Sequence, residues 1–217
     1  MTVKILGVSG SPRKASTDYV LNVALEEAAK VPGVETHFLA LRTKKIHPCN
    51  QCDQCLKLDP GKTYEHYCVF HDDMDELMRL FLEMDGYIIA SPVYDMNVTP
   101  ELNIFFNRFR PLWRVFRGIH RNKVGGSISL GGTRHGGQET CVAMINNFFL
   151  INEILVTGGP SGCYTGATVW TRDQKEQGAM EDEVGMATVR GVGRRVAEVA
   201  TILKYGKEAL KAEGITF

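Results

Sequence analysis

The chain has 217 residues, and its 25 Lys+Arg balance 25 Asp+Glu, so no global field favours nucleic acid or an anionic membrane surface. Hydrophobic residues make up 44% and charged residues 23%, which excludes extensive disorder and suits one domain over residues 1–217. No apolar run is long enough to span a bilayer, and the opening MTVKILGVSGSPRKAS lacks the form of a secretory signal, so a cytoplasmic protein is expected.

Residues 3–8 form a short apolar run ended by Ser9-Gly10-Ser11-Pro12, which reads as a buried strand entering a turn. Val20, Leu21, Ala24, Leu25 and Ala28 recur with helical spacing, and Pro32-Gly33 ends that helix. Residues 34–41 predict a second strand, and residues 44–71 have no useful period. Asp72 or Asp73 caps a helix carrying Leu77, Leu80, Phe81 and Met84 on one side. A third strand follows at 86–90.

After the loop 91–99, Pro100 opens a helix bearing Leu102, Phe105, Phe106, Phe109, Leu112, Trp113 and Phe116. Arg108, Arg110, Arg114, Arg117 and Arg121 read as its solvated basic face, with docking of an acidic electron carrier as the other reading. Residues 123–130 are a fourth strand, 138–152 a helix and 153–157 a fifth strand. A long polar loop, 158–184, precedes a final helix with Val192, Val196, Val199 and Leu203 on one face. Strands alternating with helices predict a parallel sheet covered on both faces.

Such sheets bind ligands beyond the carboxyl ends of their strands. Three unusual loops follow strands at that edge. Ser9 to Thr17 offers hydroxyls, Arg13 and a helix N-terminus, a combination that holds a terminal phosphate; an ordinary turn with Ser16 as N-cap is the alternative. It matches neither the dinucleotide nor the P-loop fingerprint. In Ser91 to Thr99, Pro92 stiffens the backbone and Tyr94 can lie against a planar ligand, unless it is a core tyrosine. Gly131-Gly132-Thr133-Arg134-His135-Gly136-Gly137 lets the backbone approach a ring edge closely, unless it is a flexible surface loop.

Four of the six cysteines, Cys49, Cys52, Cys55 and Cys68, form a C-x2-C-x2-C-x12-C cluster. In a reducing compartment this spacing suggests metal or redox chemistry. Three thiolates at three-residue steps can reach three corners of an iron-sulfur cubane, with the fourth ligand arriving later. His47, His66 and His71 keep a zinc alternative open. Cys141 and Cys163 are expected to be unligated.

The segments SGSPRKAST, SPVYDMNVTPELNIFFNR and SLGGTRHGGQE resemble the flavin loops of the flavodoxin-like NAD(P)H-dependent FMN reductase family, and the cysteines resemble its iron-sulfur flavoprotein branch. The resemblance implies a three-layer α/β sandwich with a five-stranded parallel sheet, order 2-1-3-4-5, binding FMN at its edge. By position, Ser9, Ser11, Arg13, Ser16 and Thr17 hold the phosphate, with Pro12 in the same loop. Pro92, Val93, Tyr94 and Asn97 contact the isoalloxazine, and Gly131, Gly132, Gly136 and Gly137 wrap its polar edge. Asp95 and Met96 stand where the family tends to have an aromatic and a glycine. Cys49, Cys52, Cys55 and Cys68 would hold a [4Fe–4S] cluster, with residues 56–67 as an insertion before the fourth ligand.

No side chain is needed as acid, base or nucleophile, because the cofactors carry the electrons. The expected activity is electron transfer between a ferredoxin-like one-electron carrier and other acceptors. A plain NAD(P)H-dependent FMN or quinone reductase without a functional cluster, and a flavin-binding redox sensor, are the alternatives. The resemblance implies a homo-oligomer, dimer or tetramer, in which the cluster of one subunit lies near the flavin of another; the polar loop 158–184 reads as too extended to serve one subunit's core. No nucleic acid or membrane partner is expected.

Overall fold

The computed structural model describes residues 1–160 and 162–216; Ser161, inside the predicted polar loop, and Phe217 lie outside the described residues. In chain order the elements are β1 (Val3–Ser9), α1 (Ser16–Ala28), β2 (Val34–Ala40), α2 (Met74–Glu83) and β3 (Gly86–Pro92). Then come α3 (Pro100–Asn107), α4 (Arg110–Arg114), β4 (Val124–Gly131), α5 (Gln138–Ile151) and β5 (Leu155–Val156). The chain closes with β6 (Ala167–Trp170), α6 (Lys175–Glu181) and α7 (Glu183–Ala212). All strand pairings are parallel, in the order β2-β1-β3-β4-β5, as expected.

Successive side chains on a strand point to opposite faces, and the two cores follow that alternation. Leu6, Val8, Tyr87 and Ile89 face α2, α3, α4 and α5, whereas Val3, Ile5, Ile88 and Ala90 face α1 and α7. At the centre of the first core the Tyr87 ring stacks on Phe81 at 3.8 Å and its hydroxyl donates to the Phe81 carbonyl, so a polar atom is buried without being orphaned. On β4, Gly125 and Gly126 let helices approach from both sides. A Cβ on Gly125 would stand 2.6 Å from the Phe149 ring, and one on Gly126 2.6 Å from Val192.

Three expectations change. The fifth sheet position is shared: β5 pairs with Val124 and Gly125, and β6 pairs with β4 from Ile128 to Gly131. The predicted polar loop therefore contains a strand and a helix, and buries Ala167, Val169 and Ala179 in its own subunit's core. The length of this segment is no longer a reason to invoke a partner subunit. The helix expected from Pro100 through Phe116 breaks after Asn107, because Pro111 has no N–H for the Asn107 carbonyl four residues back. No helix among the described residues is long and apolar enough to cross a membrane.

Candidate functional site

The first loop lies between β1 and α1. Ser9 is buried, and its hydroxyl donates to Asp18 Oδ1 at 2.7 Å. Asp18 is held in turn by both terminal nitrogens of Arg42, at 3.0 and 2.7 Å. Ser9 thus braces the loop from below, while Arg13 and Lys14 are exposed above it. Ser11 is buried and closes the turn, donating to the Arg13 carbonyl and accepting from the Arg13 N–H. Pro12 and Ser16 are half-buried and Thr17 is buried. Ser16 is the first helical residue rather than the cap. Ala15 precedes it, and no side chain caps α1. First-turn N–H groups lack intrahelical acceptors, so an uncapped helix end flanked by two cations suits a phosphate.

The second loop turns back on itself: Tyr94 and Asn97 exchange backbone hydrogen bonds of 2.9 and 2.8 Å. Asp95 and Met96 between them have φ of 49° and 61°, a turn with both central residues left-handed. Non-glycine residues at such angles cost energy, about 1 kcal/mol or more each. Tyr94, Met96 and Asn97 are exposed, whereas Pro92 and Val93 are half-buried. Thr99 locks this loop to the first one, because its hydroxyl donates to the Gly10 carbonyl at 2.6 Å and accepts from the Leu102 N–H at the start of α3.

The third loop leans on the second. Gly137 has φ of +106°, and a Cβ there would stand 2.9 Å from the Met96 Cα. Gly131 and Gly132 are held from β6 and the residue after it. Thr171 N–H donates to the Gly131 carbonyl and Trp170 Nε1 to the Gly132 carbonyl. The guanidinium groups of Arg134 and Arg172 lie 4.4 and 4.6 Å from the Trp170 ring. Gly136 packs against Thr133. Sequence reading missed Trp170 and Thr171 because their strand was hidden in the polar loop. The three loops form one continuous edge with an uncapped helix end, an exposed aromatic ring and close-packed backbone. These features fit a planar cofactor bearing a phosphate.

The cysteines gather elsewhere. Cys49, Cys52, Cys55 and Cys68 line one pocket with Phe70, Asn107, Arg108, Arg110 and Pro111. All four are free thiols, Cys52 exposed and the others half-buried. Burial pushes the Cys55 thiol up, opposed by the Arg110 charge and reinforced by Cys68 and Cys49 nearby. Among the described residues, no three of these sulfurs lie mutually within 4.8 Å. A tetrahedral zinc with bonds of about 2.3 Å would draw its thiolates to within about 4 Å of one another. A cubane sets its corners further apart. Four thiols on one wall beside the Arg108 and Arg110 side chains suit a metal group held by thiolates.

Two arginines that the sequence reading placed on a solvated face hold this segment. Arg108 is 1% exposed; it donates to both Asp72 oxygens, at 2.6 and 3.0 Å, and to the His47 carbonyl at 2.7 Å. Arg110 pairs with Asp53, between Cys52 and Cys55. The histidines do not join the thiols. His47 stacks on Phe70 at 4.0 Å, and His66 bonds Asp75. Cys141 and Cys163 are buried in the two cores, away from the pocket, with both thiols pushed up by burial.

The model of the NADPH-dependent FMN reductase family matches residues 3–164, three-quarters of the chain. The chain belongs to that family. It is a flavin-dependent oxidoreductase with a flavodoxin-like fold. An iron-sulfur flavoprotein of Methanocaldococcus jannaschii is 38% identical over 198 residues, 91% of this chain and 96% of its own. One from Archaeoglobus fulgidus is 39% identical over 196 residues, covering 90% and 96% respectively. The crystal structure of a flavodoxin, WrbA-like protein from Agrobacterium tumefaciens shares the fold with a TM-score of 0.59 at 15% identity, covering 93% of this chain and 98% of that one.

Within this FMN reductase fold, α3 connects the two sites. Its N-cap, Thr99, belongs to the second loop, and Asn107 at its far end lines the cysteine pocket. Eight residues at 1.5 Å each put about 12 Å between these ends. The thiols therefore sit on the flank of the helical layer. They lie at the far end of α3 from Thr99 and the second loop.

Proposed function

We propose that this chain is an electron-transfer flavoprotein with FMN on the three edge loops and a [4Fe–4S] cluster on Cys49, Cys52, Cys55 and Cys68. The observation that carries the reading is the convergence of all four cysteines on one pocket in a chain of the FMN reductase family. Two relatives that align over nine-tenths of the chain are named iron-sulfur flavoproteins, which supports it. Flavin and cluster together exchange one-electron for two-electron transfers, because a cluster passes single electrons and a flavin accepts one or two.

The chain's own groups bind, orient and shield. Arg13, Lys14 and the open end of α1 receive the phosphate. Tyr94 and the Tyr94–Asn97 turn face the ring system, and the backbone of Gly131, Gly132, Gly136 and Gly137 lines its polar edge. Arg108 holds both ends of the cysteine segment, Arg110 holds its middle at Asp53, and together they place positive charge beside the thiols. A ferredoxin-like one-electron carrier is the expected partner at the pocket mouth. A homo-oligomer, dimer or tetramer, would bring the pocket of one subunit near the flavin loops of another.

The family's NADPH-dependent flavin reduction is the second reading, favoured by a match that rests on the flavin loops. Anaerobic reduction kinetics separate the two. With a ferredoxin-type donor, Cys52→Ser should abolish fast flavin reduction while NADPH-driven reduction is unchanged. Equal ferredoxin-driven rates in wild type and variant would reject the electron-transfer reading.

A further inference from the structure

We propose that His66, His71 and Asp75 form a second metal site, for one divalent cation of the zinc class, separate from the cysteine pocket. Asp75 is in the first turn of α2 and only 5% exposed. Its Oδ2 lies 2.7 Å from His66 Nδ1 and 3.9 Å from His71 Nδ1. The two imidazoles meet edge to face, centroids 4.3 Å apart at 86°. Among the described residues this is the one group of three His, Cys, Asp or Glu side chains whose ligand atoms all lie within 4.8 Å of each other.

A second observation points the same way. Asp75 Oδ1 is buried and has no hydrogen-bond partner. Buried carboxylate oxygens are normally satisfied, so Asp75, with Oδ2 on His66 and no protein donor on Oδ1, keeps a carboxylate whose charge the described side chains only partly meet. Two nitrogens and one oxygen, with no thiolate, suit zinc and its first-row neighbours better than calcium or magnesium, which favour all-oxygen shells. Both histidines are exposed, so the solvent side leaves room for a water as fourth ligand. The nearest cation on the same helix, Arg79, is engaged with the Glu65 carbonyl at 2.6 Å.

The site has a structural consequence. His66 and His71 bracket Cys68, and Asp75 belongs to a helix packed in the core. A cation held by all three would pin the return of the 56–67 insertion to α2 and fix the backbone that presents Cys68. The geometry needs only small side-chain shifts to bring three ligands to bonds of about 2.0–2.2 Å.

The test is equilibrium dialysis of the purified holoprotein against zinc after chelator treatment, with zinc and iron measured together. One zinc per chain is expected, with iron content unchanged. His71→Ala, at an exposed position, and His66→Ala should each weaken zinc binding about tenfold or more. Failure of the wild type to retain zinc would overturn the proposal. So would equal binding by the His66→Ala/His71→Ala double variant, or zinc uptake matched by iron loss, since either places the metal on the thiols.

Discussion

Arg108 reaches from the end of α3 to Asp72, ahead of α2, and closes a two-point contact in which Nη1 meets Oδ2 at 2.6 Å and Nη2 meets Oδ1 at 3.0 Å. Asp72 also accepts from the backbone N–H groups of His47 and Met74. One carboxylate therefore joins the entrance of the cysteine segment and the start of α2 to Arg108, which lines the pocket. Burial pushes the Asp72 carboxyl up, but the hydrogen bonds from Arg108 and His47 outweigh it and hold it below the ordinary value of 3.8.

Arg108→Met should leave Asp72 without its partner and cost about 3–5 kcal/mol, the range for breaking a buried pair. Denaturant unfolding measures this cost, and iron content should fall in parallel. Arg108→Met combined with Asp72→Asn should recover part of the loss. A stability change under 1 kcal/mol for the single variant would show that the pair does not hold the segment.

Thr99→Val keeps the shape of the side chain while removing the N-cap of α3 and the bond to the Gly10 carbonyl. The expected loss is about 1–2 kcal/mol of stability. FMN affinity should weaken as well, because the first two loops would no longer be tied. Fluorescence titration of apoprotein with FMN reads the second effect; unchanged affinity would separate the tether from the site.

Arg13→Ala should weaken FMN binding by about 1.5–3 kcal/mol, the range for a hydrogen bond to a charged group. Riboflavin, which has no phosphate, should bind wild type and variant equally. If both ligands weaken together, Arg13 supports the loop rather than the phosphate.

His120 is buried among Phe81, Tyr87 and Phe109, and its Nε2 has no partner. Burial, helped by the charge of Lys123, pushes its pKa down from 6.5 to about 3. A folded value below the unfolded one means that its contribution is complete above pH 6.5 and is lost as pH falls towards 3. In that window the slope should approach about 1.4 kcal/mol per pH unit. His120→Phe should flatten the stability profile between pH 6.5 and 5 by about that amount. An unchanged slope would assign the acid sensitivity to other groups.

Short apolar runs made β1 and β3 legible from sequence, because strands buried on both faces show no alternation. The strand β6 escaped notice because four residues, Ala167 to Trp170, follow glycine-rich chain and show too little pattern. The break before α4 was hidden by an apolar stripe that continues through it; Pro111 was the available signal. Arg108 stands at that break as the C-cap of α3, three residues after buried Phe105 and four before buried Leu112, a spacing that its charge masked. Around the edge loops, residue types identified the neighbourhood but not the roles: Ser9 is spent on Asp18, and Arg42, thirty-three residues away in sequence, completes that brace. The four cysteines were legible because sequence proximity, not distant packing, brings most of them together.

Iron and acid-labile sulfide per chain, measured on anaerobically purified wild type and on Cys68→Ser, Cys141→Ser and Cys163→Ser, test the central claim most directly. Four irons and four sulfides are expected in wild type and in the Cys141 and Cys163 variants, with loss or degradation in Cys68→Ser while FMN remains bound. Wild type without iron and sulfide, or Cys68→Ser with a full complement, would contradict the assignment of the pocket.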